Sequence, residues 1–463
     1  MMNNHRPLTL LARLCSRTMR IMGLTACAVI LAAAAPGQEP ANDDVLTLKQ
    51  ALEIALTNNR SLKIASLDID KSQWELAEFK TKRLPAFNSS VLASQLLTEI
   101  SFTVKAGTFG DYPGTGPIPS HDTKITTPRR PTALVMSQVT QPLSQIYKIN
   151  LGVQAGKLNT SLTGEKQRYQ RQAVVKQVKQ AYYAVLLAES ALDAAQASVK
   201  QYEEVDRVVL QRVSQEAALR SESLDVKAKL ANERLQLTQL KDTLDSRKET
   251  LNDLLGRDIR TDYRVEQVPA ESFEEIELTS AQQKALASRP ELREAQLNLR
   301  RAEFDRRIAK ADLIPDLGVA FNYLSPFNTE FVPKNIASVG LELKWEPWDW
   351  GRRKAVVNQK IAVQNQAEAQ VRDTQSKILI DVNSRYRKLR ESRAQIAVAN
   401  AGREAARQRL VEMTHKYEEK AVLLRDVLAE RAAAASADDQ YEQALLSFWS
   451  ARSEFEQAMG EDQ

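Results

Sequence analysis

The sequence predicts a mainly α-helical protein with a smaller portion of membrane-length β-strands, arranged as two similar halves. Glycine accounts for only 15 of 463 residues, whereas charged residues make up 27%, and this composition is typical of long helices. An ungapped similarity between the halves and four segments of alternating apolar residues complete the basis for the prediction.

The N-terminal segment 1–35 predicts a secretory signal peptide. Basic residues precede an apolar run at 21–35 that ends in small residues, and this run is shorter than the roughly 20 residues of a spanning helix. Both cysteines, Cys15 and Cys27, lie in this segment, so we expect no disulfide in the cleaved chain. Few apolar residues precede Cys27, which disfavours the alternative of a lipidated N-terminus.

The two halves repeat one order of elements: a helix, two strands and a long helical hairpin. An offset of 230 positions aligns residues of the first helix and strand, and a later offset near 205 aligns residues of the hairpins. The aligned pairs include Leu48 with Leu278, Trp74 with Phe304, Pro85 with Pro315, Pro142 with Pro347, and Gly256 with Gly460. We expect a first repeat at 36–260, a linker of an equatorial region at 261–277 and a second repeat at 278–463.

Long helices follow from heptad spacing of apolar residues. Val174, Val178, Ala181 and Val185 begin a run with alternating steps of four and three, which predicts coiled-coil packing. No proline interrupts 161–214, so a helix of about 80 Å is expected there at 1.5 Å per residue. The predicted helical hairpins span about 151–255 and 351–460.

Alternating apolar residues predict two strands in each half. The first pair is expected at about 86–104 and 132–141, and the second at about 315–324 and 336–346. Most of these lengths are close to the roughly 10 residues of a tilted transmembrane strand. The pattern alone suits a half-buried soluble strand equally well.

Three tryptophans at the end of the last strand favour the membrane interpretation. Trp345, Trp348 and Trp350 occur within six positions, as expected for aromatic residues at a membrane interface. Four strands cannot close a barrel, and an open edge in lipid leaves backbone groups unpaired. Three copies would supply twelve strands, so the sequence predicts a homotrimer that shares one barrel.

These features together resemble the TolC-like outer-membrane efflux protein family over about 46–460. The resemblance implies a trimeric tube, with a 12-stranded β-barrel in the bacterial outer membrane and a long α-helical barrel across the periplasm. It further implies passive export in partnership with a periplasmic adaptor protein and an inner-membrane pump, either proton-driven or of ABC type. The resemblance rests on the duplicated layout, the opening Leu46-Thr47-Leu48, and the junctions Leu84-Pro85, Ile314-Pro315, Gln141-Pro142-Leu143 and Glu346-Pro347-Trp348.

The same resemblance assigns roles to the turns of the two helical hairpins. It implies adaptor docking by Ala217, Ala218, Leu219 and Ser221 in the first turn, and by Lys420, Ala421, Val422 and Leu423 in the second. The family commonly has glycine in these turns, where this chain has Ala217 or Ala218 and Lys420.

A closed periplasmic constriction is also implied by the resemblance. Asp426 takes the place of an acidic residue that lines the constriction, and Tyr417 that of a tyrosine in the gating contacts. Arg425 and Arg220 are charged neighbours whose salt bridges could hold such a gate shut. A second acidic position of the family is Ala429 in this chain, with Glu430 beside it. The alternative for these charged side chains is a solvated position on a helix face.

Other functional classes find little support in the sequence. His121 and His415 are the only histidines after the leader, no glycine-rich phosphate loop occurs, and no cofactor or metal motif is present. Outside the leader, acidic and basic residues nearly balance, which excludes a strongly basic nucleic-acid-binding protein. The alternatives that remain are an outer-membrane exit duct and a soluble periplasmic coiled-coil scaffold without a pore. The exported substrate is not encoded in any recognisable motif.

Overall fold

The computed structural model describes residues 45–217, 219–268, 277–328, 333–419 and 421–461. The signal peptide predicted at 1–35 and residues 269–276 of the predicted linker lie outside the described residues, as do Ala218 and Lys420. The described chain is mainly helical and carries a smaller β-portion, which confirms that part of the predicted fold class.

Helices dominate the described chain. The helices are α1 (Leu48–Asn58), α2 (Arg60–Thr81), α3 (Gln145–Ser214), α4 (Arg220–Leu255), α5 (Leu278–Ser288), α6 (Pro290–Ala311), α7 (Arg352–Glu418) and α8 (Leu424–Ala458). α3 contains 70 residues, which corresponds to about 105 Å of helix. None of the helices in the described ranges has the length and hydropathy needed to cross a bilayer.

The described ranges also contain ten strands. They are β1 (Val45–Leu46), β2 (Ala86–Gln95), β3 (Ile100–Val104), β4 (Asp111–Tyr112), β5 (Gly116–Pro117), β6 (Thr123–Thr127), β7 (Pro131–Pro142), β8 (Arg264–Val265), β9 (Asp316–Phe327) and β10 (Ile336–Lys344). Four of them form one antiparallel sheet in the order β10-β9-β7-β2.

The segment predicted as one strand at 86–104 is divided in two. β2 pairs with β7 as far as Gln95 opposite Pro131, and a proline has no N–H with which to extend the ladder. The chain then continues as β3, which pairs with β6. The sequence pattern missed this division because both parts alternate.

The first helix of each half is also divided, at the same relative position. Asn59 separates α1 from α2, and its side-chain oxygen accepts hydrogen bonds from the backbone N–H groups of Ser61 and Leu62, which is a standard N-cap arrangement. Arg289 occupies the equivalent break before α6, where Pro290 takes the first helical position.

The first hairpin helix begins at Gln145, earlier than the expected position 151. The hydroxyl of Ser144 donates to the carbonyl oxygen of Pro315 and accepts from the N–H of Leu317, each at 2.8 Å. These bonds fix the strand-to-helix junction directly after β7, so no linker separates the two elements.

The hydrophobic core uses equivalent positions in the two halves. In each half, the short first helix packs against both helices of the long hairpin. The buried side chains of the two halves are related by an offset of 230 positions in the short helices and of 204 positions in the hairpins. The equivalent buried pairs are Ala51 and Ala281, Ala55 and Ala285, Val174 and Ile378, Val178 and Val382, Leu251 and Phe455, and Leu255 and Met459.

Tyr182 joins three separate segments near this core. Its side chain is only 1% exposed, and its hydroxyl lies 2.9 Å from the carbonyl oxygen of Leu46 and 2.8 Å from that of Glu266. Burial raises the pKa of Tyr182 to about 12. A buried ion pair of Lys179 and Glu456, at 2.8 Å, connects α3 to α8 close by.

Two equivalent glycines end the return helices. Gly256 and Gly460 both have positive φ, 71° and 77°, which other residues adopt at a cost. A Cβ at Gly256 would collide with the backbone carbonyl of Asn58, and one at Gly460 would lie 3.0 Å from the backbone N of Arg289. Each return helix therefore packs directly on the helix break of its own half.

We predict that Gly256→Ala lowers the free energy of unfolding by at least about 1–2 kcal/mol, because it adds left-handed strain and a backbone collision. Gly402→Ala is the matched control, since Gly402 lies inside α7 with no neighbour within 4 Å of the added Cβ. We expect it to be neutral or to stabilise by about 0.5–1 kcal/mol. Urea unfolding followed by circular dichroism would measure both, and equal effects would contradict the packing described.

We also predict alkaline destabilisation through Tyr182. Because its pKa is about 12 in the folded chain and about 10 when unfolded, its stabilising contribution is complete below about pH 10 and is lost as the pH rises towards 12. Tyr182→Phe should cost about 1–3 kcal/mol at neutral pH and should lose less stability than the wild type on alkaline titration. The exposed Tyr169 provides the control, and Tyr169→Phe should match the wild type throughout.

Candidate functional site: the sheet faces and the helical hairpin tips

The four-stranded sheet has one apolar face. In the observed register, Leu343, Leu341 and Val339 of β10 lie opposite Leu317, Val319 and Phe321 of β9. Val139 and Val135 of β7 and Phe87 and Val91 of β2 continue this face across the sheet. Many of these side chains are exposed in the single chain, Leu341 at 73% and Val91 at 68%, as expected for a surface that faces lipid.

Two serine side chains on the apolar face are paired with each other. Ser89 and Ser137 lie directly opposite across β2 and β7, and their hydroxyl oxygens are 2.9 Å apart. A hydroxyl that is hydrogen-bonded in this way is less costly in an apolar environment. The two serines therefore do not prevent this face from contacting lipid.

The opposite face of the sheet is mostly polar or small. Its residues include Asn88, Ser90, Ser94, Gln138, Thr140, Gly318, Ala320, Asn322, Ser338, Gly340 and Glu342. Leu92, Leu134, Met136, Leu324 and Ile336 are apolar members of the same face. Such a face suits contact with water, whereas the apolar face suits contact with lipid.

Both edges of the sheet are unpaired in the single chain. β2 and β10 each have one neighbour in the sheet order, β7 and β9 respectively. An edge strand presents a row of free N–H and C=O groups. In lipid these groups need partners, because no water is available to them.

The three tryptophans lie where β10 gives way to α7. Trp345, Trp348 and Trp350 are all exposed, and the rings of Trp348 and Trp350 meet edge to face with centroids 5.7 Å apart. Trp350 adopts a left-handed backbone conformation, with φ at 55°. The turn therefore displays large aromatic rings at one end of the apolar face.

Acidic side chains hold this turn in place. The carboxylate of Asp349 accepts hydrogen bonds from the backbone N–H groups of Gly351 and Arg353 at 3.0 Å. These bonds, led by that from Arg353, keep the pKa of Asp349 below its usual value. Glu346 accepts from the guanidinium groups of Arg352 and Arg353. Sequence reasoning did not identify these caps, although an aspartate two residues before a glycine was an available signal.

The first hairpin tip is closed by a left-handed residue. Glu216 has φ at 57°, and the N–H of Ala217 donates to the carbonyl of Arg212 at 2.8 Å, as in a Schellman motif. The sequence assigned the place of the family's glycine to Ala217 or Ala218, and this assignment stays a prediction, while the left-handed residue in the described part of the turn is Glu216. The side chains of Leu219 and Ser221 are exposed at this tip.

The second hairpin tip has equivalent backbone contacts. The N–H of Ala421 donates to the carbonyl of Lys416 at 2.8 Å, and Leu423 precedes α8 as Leu219 precedes α4. Leu219 and Leu423 are both exposed, while Val422 is half-buried. The two tips of one chain therefore display similar apolar side chains.

Asp426 has a clear local role in the second tip. Its carboxylate accepts a hydrogen bond from the backbone N–H of Leu423 at 3.1 Å, and it lies in the first turn of α8. A carboxylate at this position satisfies an otherwise free N–H and interacts favourably with the positive end of the helix dipole. The side chain of Asp426 is half-buried.

The other constriction residues are placed in different ways. Glu430 lies one turn beyond Asp426, and its buried Oε2 has no hydrogen-bond partner within the described chain. Tyr417 is half-buried in the last turn of α7, whereas Arg220 is exposed at the start of α4 and forms no ion pair with any described residue. The side chain of Arg425 lies outside the described part of the structure, so its predicted role is untested.

Comparison with known proteins identifies a family. A family model for outer membrane efflux proteins matches residues 51–257 and 281–461, which together make up most of the chain. A search of curated protein sequences finds no significant match.

Several solved structures share the fold. The Campylobacter jejuni CmeC outer membrane channel matches with a TM-score of 0.73 at 16% identity, over 92% of this chain and 90% of that one. A structure of CusC, from work on the conformational changes that accompany folding and transmembrane channel formation, matches with a TM-score of 0.71 at 16% identity. The match covers 89% of this chain and 92% of that one. The Neisseria gonorrhoeae MtrE outer membrane channel in its open state matches with a TM-score of 0.70 at 15% identity, over 89% of this chain and 88% of that one.

We predict that the capping hydrogen bond of Asp426 stabilises the tip even when the negative charge of this residue is removed. Asp426→Ala removes the acceptor and should destabilise the tip by about 0.5–2 kcal/mol, seen as faster hydrogen exchange in the first turn of α8. Asp426→Asn retains an acceptor oxygen and should leave most of the protection intact. Equal protection in all three proteins would show that the hydrogen bond to Leu423 does not stabilise the tip.

Proposed function

Because the chain belongs to the outer membrane efflux protein family, we propose that it is the passive outer-membrane exit duct of a tripartite efflux or type I secretion system. The sheet with one apolar and one mostly polar face carries this proposal. Such a sheet separates lipid from an aqueous lumen. The tryptophan cluster at one end of the apolar face supports the position of a membrane interface there.

A homotrimer completes the pore in this proposal. The two unpaired edges, β2 and β10, each require a partner strand in lipid. Three chains would contribute four strands each and close a barrel of twelve strands, an even number within the range of outer-membrane barrels. The polar face would then line the lumen.

The helices extend this duct through the periplasm. α3 alone is long enough for about 105 Å, and its hairpin tip lies at the end remote from the sheet along that helix. The long helices α3, α4, α7 and α8 would form the wall of a helical barrel. The exit duct would thus reach from the outer membrane towards the inner membrane.

A periplasmic adaptor protein would dock at the hairpin tips. The exposed Leu219 and Leu423 offer apolar contacts in similar settings, with Ala217, Ser221 and Ala421 beside them. An inner-membrane pump, proton-driven or of ABC type, would supply the energy and select the substrate. The duct itself passes what the pump delivers.

The constriction would be formed by three copies of the second tip. Asp426 carboxylates from three chains around one axis make a negative ring, which favours cations in a narrow throat. Tyr417 lies at the end of α7, across the hairpin turn from Asp426, and Glu430 lies one turn beyond Asp426 on α8. Arg425 and Arg220 are the candidate partners that hold the constriction closed.

A soluble coiled-coil scaffold is the alternative function. It shares the long helices but gives no account of the exposed apolar face of the sheet, which would promote aggregation in water. Membrane fractionation distinguishes the two functions directly, because the duct sediments with outer membranes and the scaffold stays soluble.

We predict that the purified protein forms cation-preferring channels in planar bilayers. Asp426→Asn should reduce the cation preference by about ten-fold at low salt and raise the conductance, because the ring of carboxylates that holds cations in the throat is neutralised while the helix cap is kept. Glu53→Gln, an exposed acid on α1, is the charge-matched control and should behave as wild type. Unchanged selectivity in Asp426→Asn would remove Asp426 from the constriction, and absence of any conductance would count against the duct itself.

A further inference from the structure

We propose that the mostly polar face of the sheet holds a binding site for anionic amphiphiles that enter from the outer mouth of the duct. The site combines an apolar patch, near the end of the sheet remote from the helices, with two flanking cations. This inference rests on the proposed duct, in which this face lines the lumen, and adds a ligand site within the barrel. The patch, called the lumenal patch, consists of Leu92, Leu134, Met136, Leu324, Pro326 and Ile336.

The strand ladders arrange this face in rows that run across the four strands. Residues directly opposite each other in neighbouring strands share a row, and successive rows of one face are about 7 Å apart because alternate residues share a face. Two neighbouring rows are apolar. The first contains Met136, Leu324 and Ile336 beside Ser90, and the second contains Leu92, Leu134 and Pro326. The lumenal patch is therefore continuous and includes a residue from each of the four strands.

Polar rows border the lumenal patch on both sides. The row on the side of the helices consists of Asn88, Gln138, Asn322 and Ser338, and the row on the outer side includes Ser94 and Thr132. A barrel face that lines water carries mainly polar or small side chains. Two successive apolar rows between polar rows therefore indicate a contact that is particular to this level of the barrel.

The lumenal patch is open in the single chain. Leu92 is 58% exposed and Met136 is 42% exposed, so the described part of the connection between β2 and β7 does not cover them. Leu134, Leu324 and Ile336 are half-buried. The patch crosses three strand spacings of about 4.8 Å, or about 14 Å in all, which gives room for the alkyl chain of a small amphiphile.

The four strands place no charged side chain in or directly beside the lumenal patch. Asp316 and Glu342 are the acidic residues of this face, and they lie where β9 begins and β10 ends, about 20 Å or more from the patch along the strands. A bare ion therefore finds no charged partner at this level, whereas an apolar group gains contact there.

Two cations flank the outer side of the lumenal patch. Arg130 extends the ladder of β2 and β7, because its carbonyl oxygen accepts a hydrogen bond from the N–H of Leu96 at 3.1 Å. Alternation then places its side chain on the same face as Leu134. Lys334 lies two residues before Ile336, and its side chain is exposed. The cations lie towards the outer mouth, so a ligand with an apolar tail and an anionic head fits with its head outwards.

This ligand class is distinguished from its neighbours by the two features together. An anionic amphiphile removes apolar surface from water at the patch and brings its head to the cations. A cationic amphiphile of the same length gains only the first contact, and a small inorganic anion gains only the second. Because barrel strands are tilted, the patches of three chains would follow the wall obliquely and act as three separate sites.

Block of channel current by alkyl carboxylates tests the site. Decanoate, added below its micellar concentration to one side of the planar bilayer at a time, should block at a concentration at least about ten-fold lower than hexanoate, because the longer chain covers more of the patch. Decyltrimethylammonium has the same tail and the opposite charge. At low salt, where charges are least screened, it should need a concentration at least about three-fold higher than decanoate.

Variants separate the contributions of tail and head. Leu92→Asn with Leu324→Asn should raise the blocking concentration of decanoate at least about ten-fold, whereas Leu92→Met with Leu324→Met should be blocked as the wild type is. Lys334→Gln should lower the preference for decanoate over decyltrimethylammonium at least about three-fold. Lys344→Gln is its matched control, since Lys344 lies at the opposite end of β10 on the same face.

Cysteine protection in intact cells provides a second measurement that needs no polar substitution in the patch. Leu92→Cys should react with a membrane-impermeant thiol reagent from outside, and decanoate should slow this reaction at least about five-fold. Asn88→Cys, in the bordering polar row and also exposed, should react at the same rate with and without decanoate.

The outcomes distinguish the site from the duct. Conducting channels that decanoate blocks equally in the wild type and in Leu92→Asn with Leu324→Asn, or an unprotected Leu92→Cys, would refute the site and leave the duct standing. Protection of Asn88→Cys to the same extent would also refute the lumenal patch as the contact. Absence of any conductance, together with no reaction of Leu92→Cys from outside, would overturn the proposed duct and the site with it.

Discussion

The need to pair every backbone N–H and C=O group in lipid governs this structure. The sheet leaves β2 and β10 as open edges, and its apolar face excludes water from one side. A single chain cannot meet this requirement, whereas a ring of copies can. The order of strands, the alternation of side chains and the proposed subunit contact all follow from that one requirement.

The helical part of the chain uses the same packing arrangement in each of its two halves. Equivalent small residues, such as Ala51 and Ala281, let the short helices approach the hairpins closely. The breaks at Asn59 and Arg289 then rest on the glycines that end the return helices. Because both halves use the same contacts, a difference between them marks a position where the repeat has specialised. Trp74, for example, is exposed, whereas its equivalent Phe304 is half-buried.

Much of the fold could be predicted from the sequence, because the spacing of apolar residues indicates which side chains are buried. The heptad residues Val174, Val178 and Val185 are buried as the pattern predicts, and the alternating segments form strands. Features that depend on the local backbone conformation or on a strand partner could not be predicted. The left-handed Glu216 and the cap formed by Asp426 arise from the conformation of the turns, and the division of 86–104 after Gln95 arises from its pairing with Pro131.

The unequal connections between paired strands have one more consequence. The first connection, between β2 and β7, contains the additional ladders β3–β6 and β4–β5, whereas β9 and β10 are joined by a short segment at 328–335. In a three-copy ring the wall would be nearly sixfold symmetric, but tall and short hairpins would alternate around its outer rim. Molecules that arrive from outside the cell would therefore meet a threefold crown, although the wall beneath it has almost twice that symmetry.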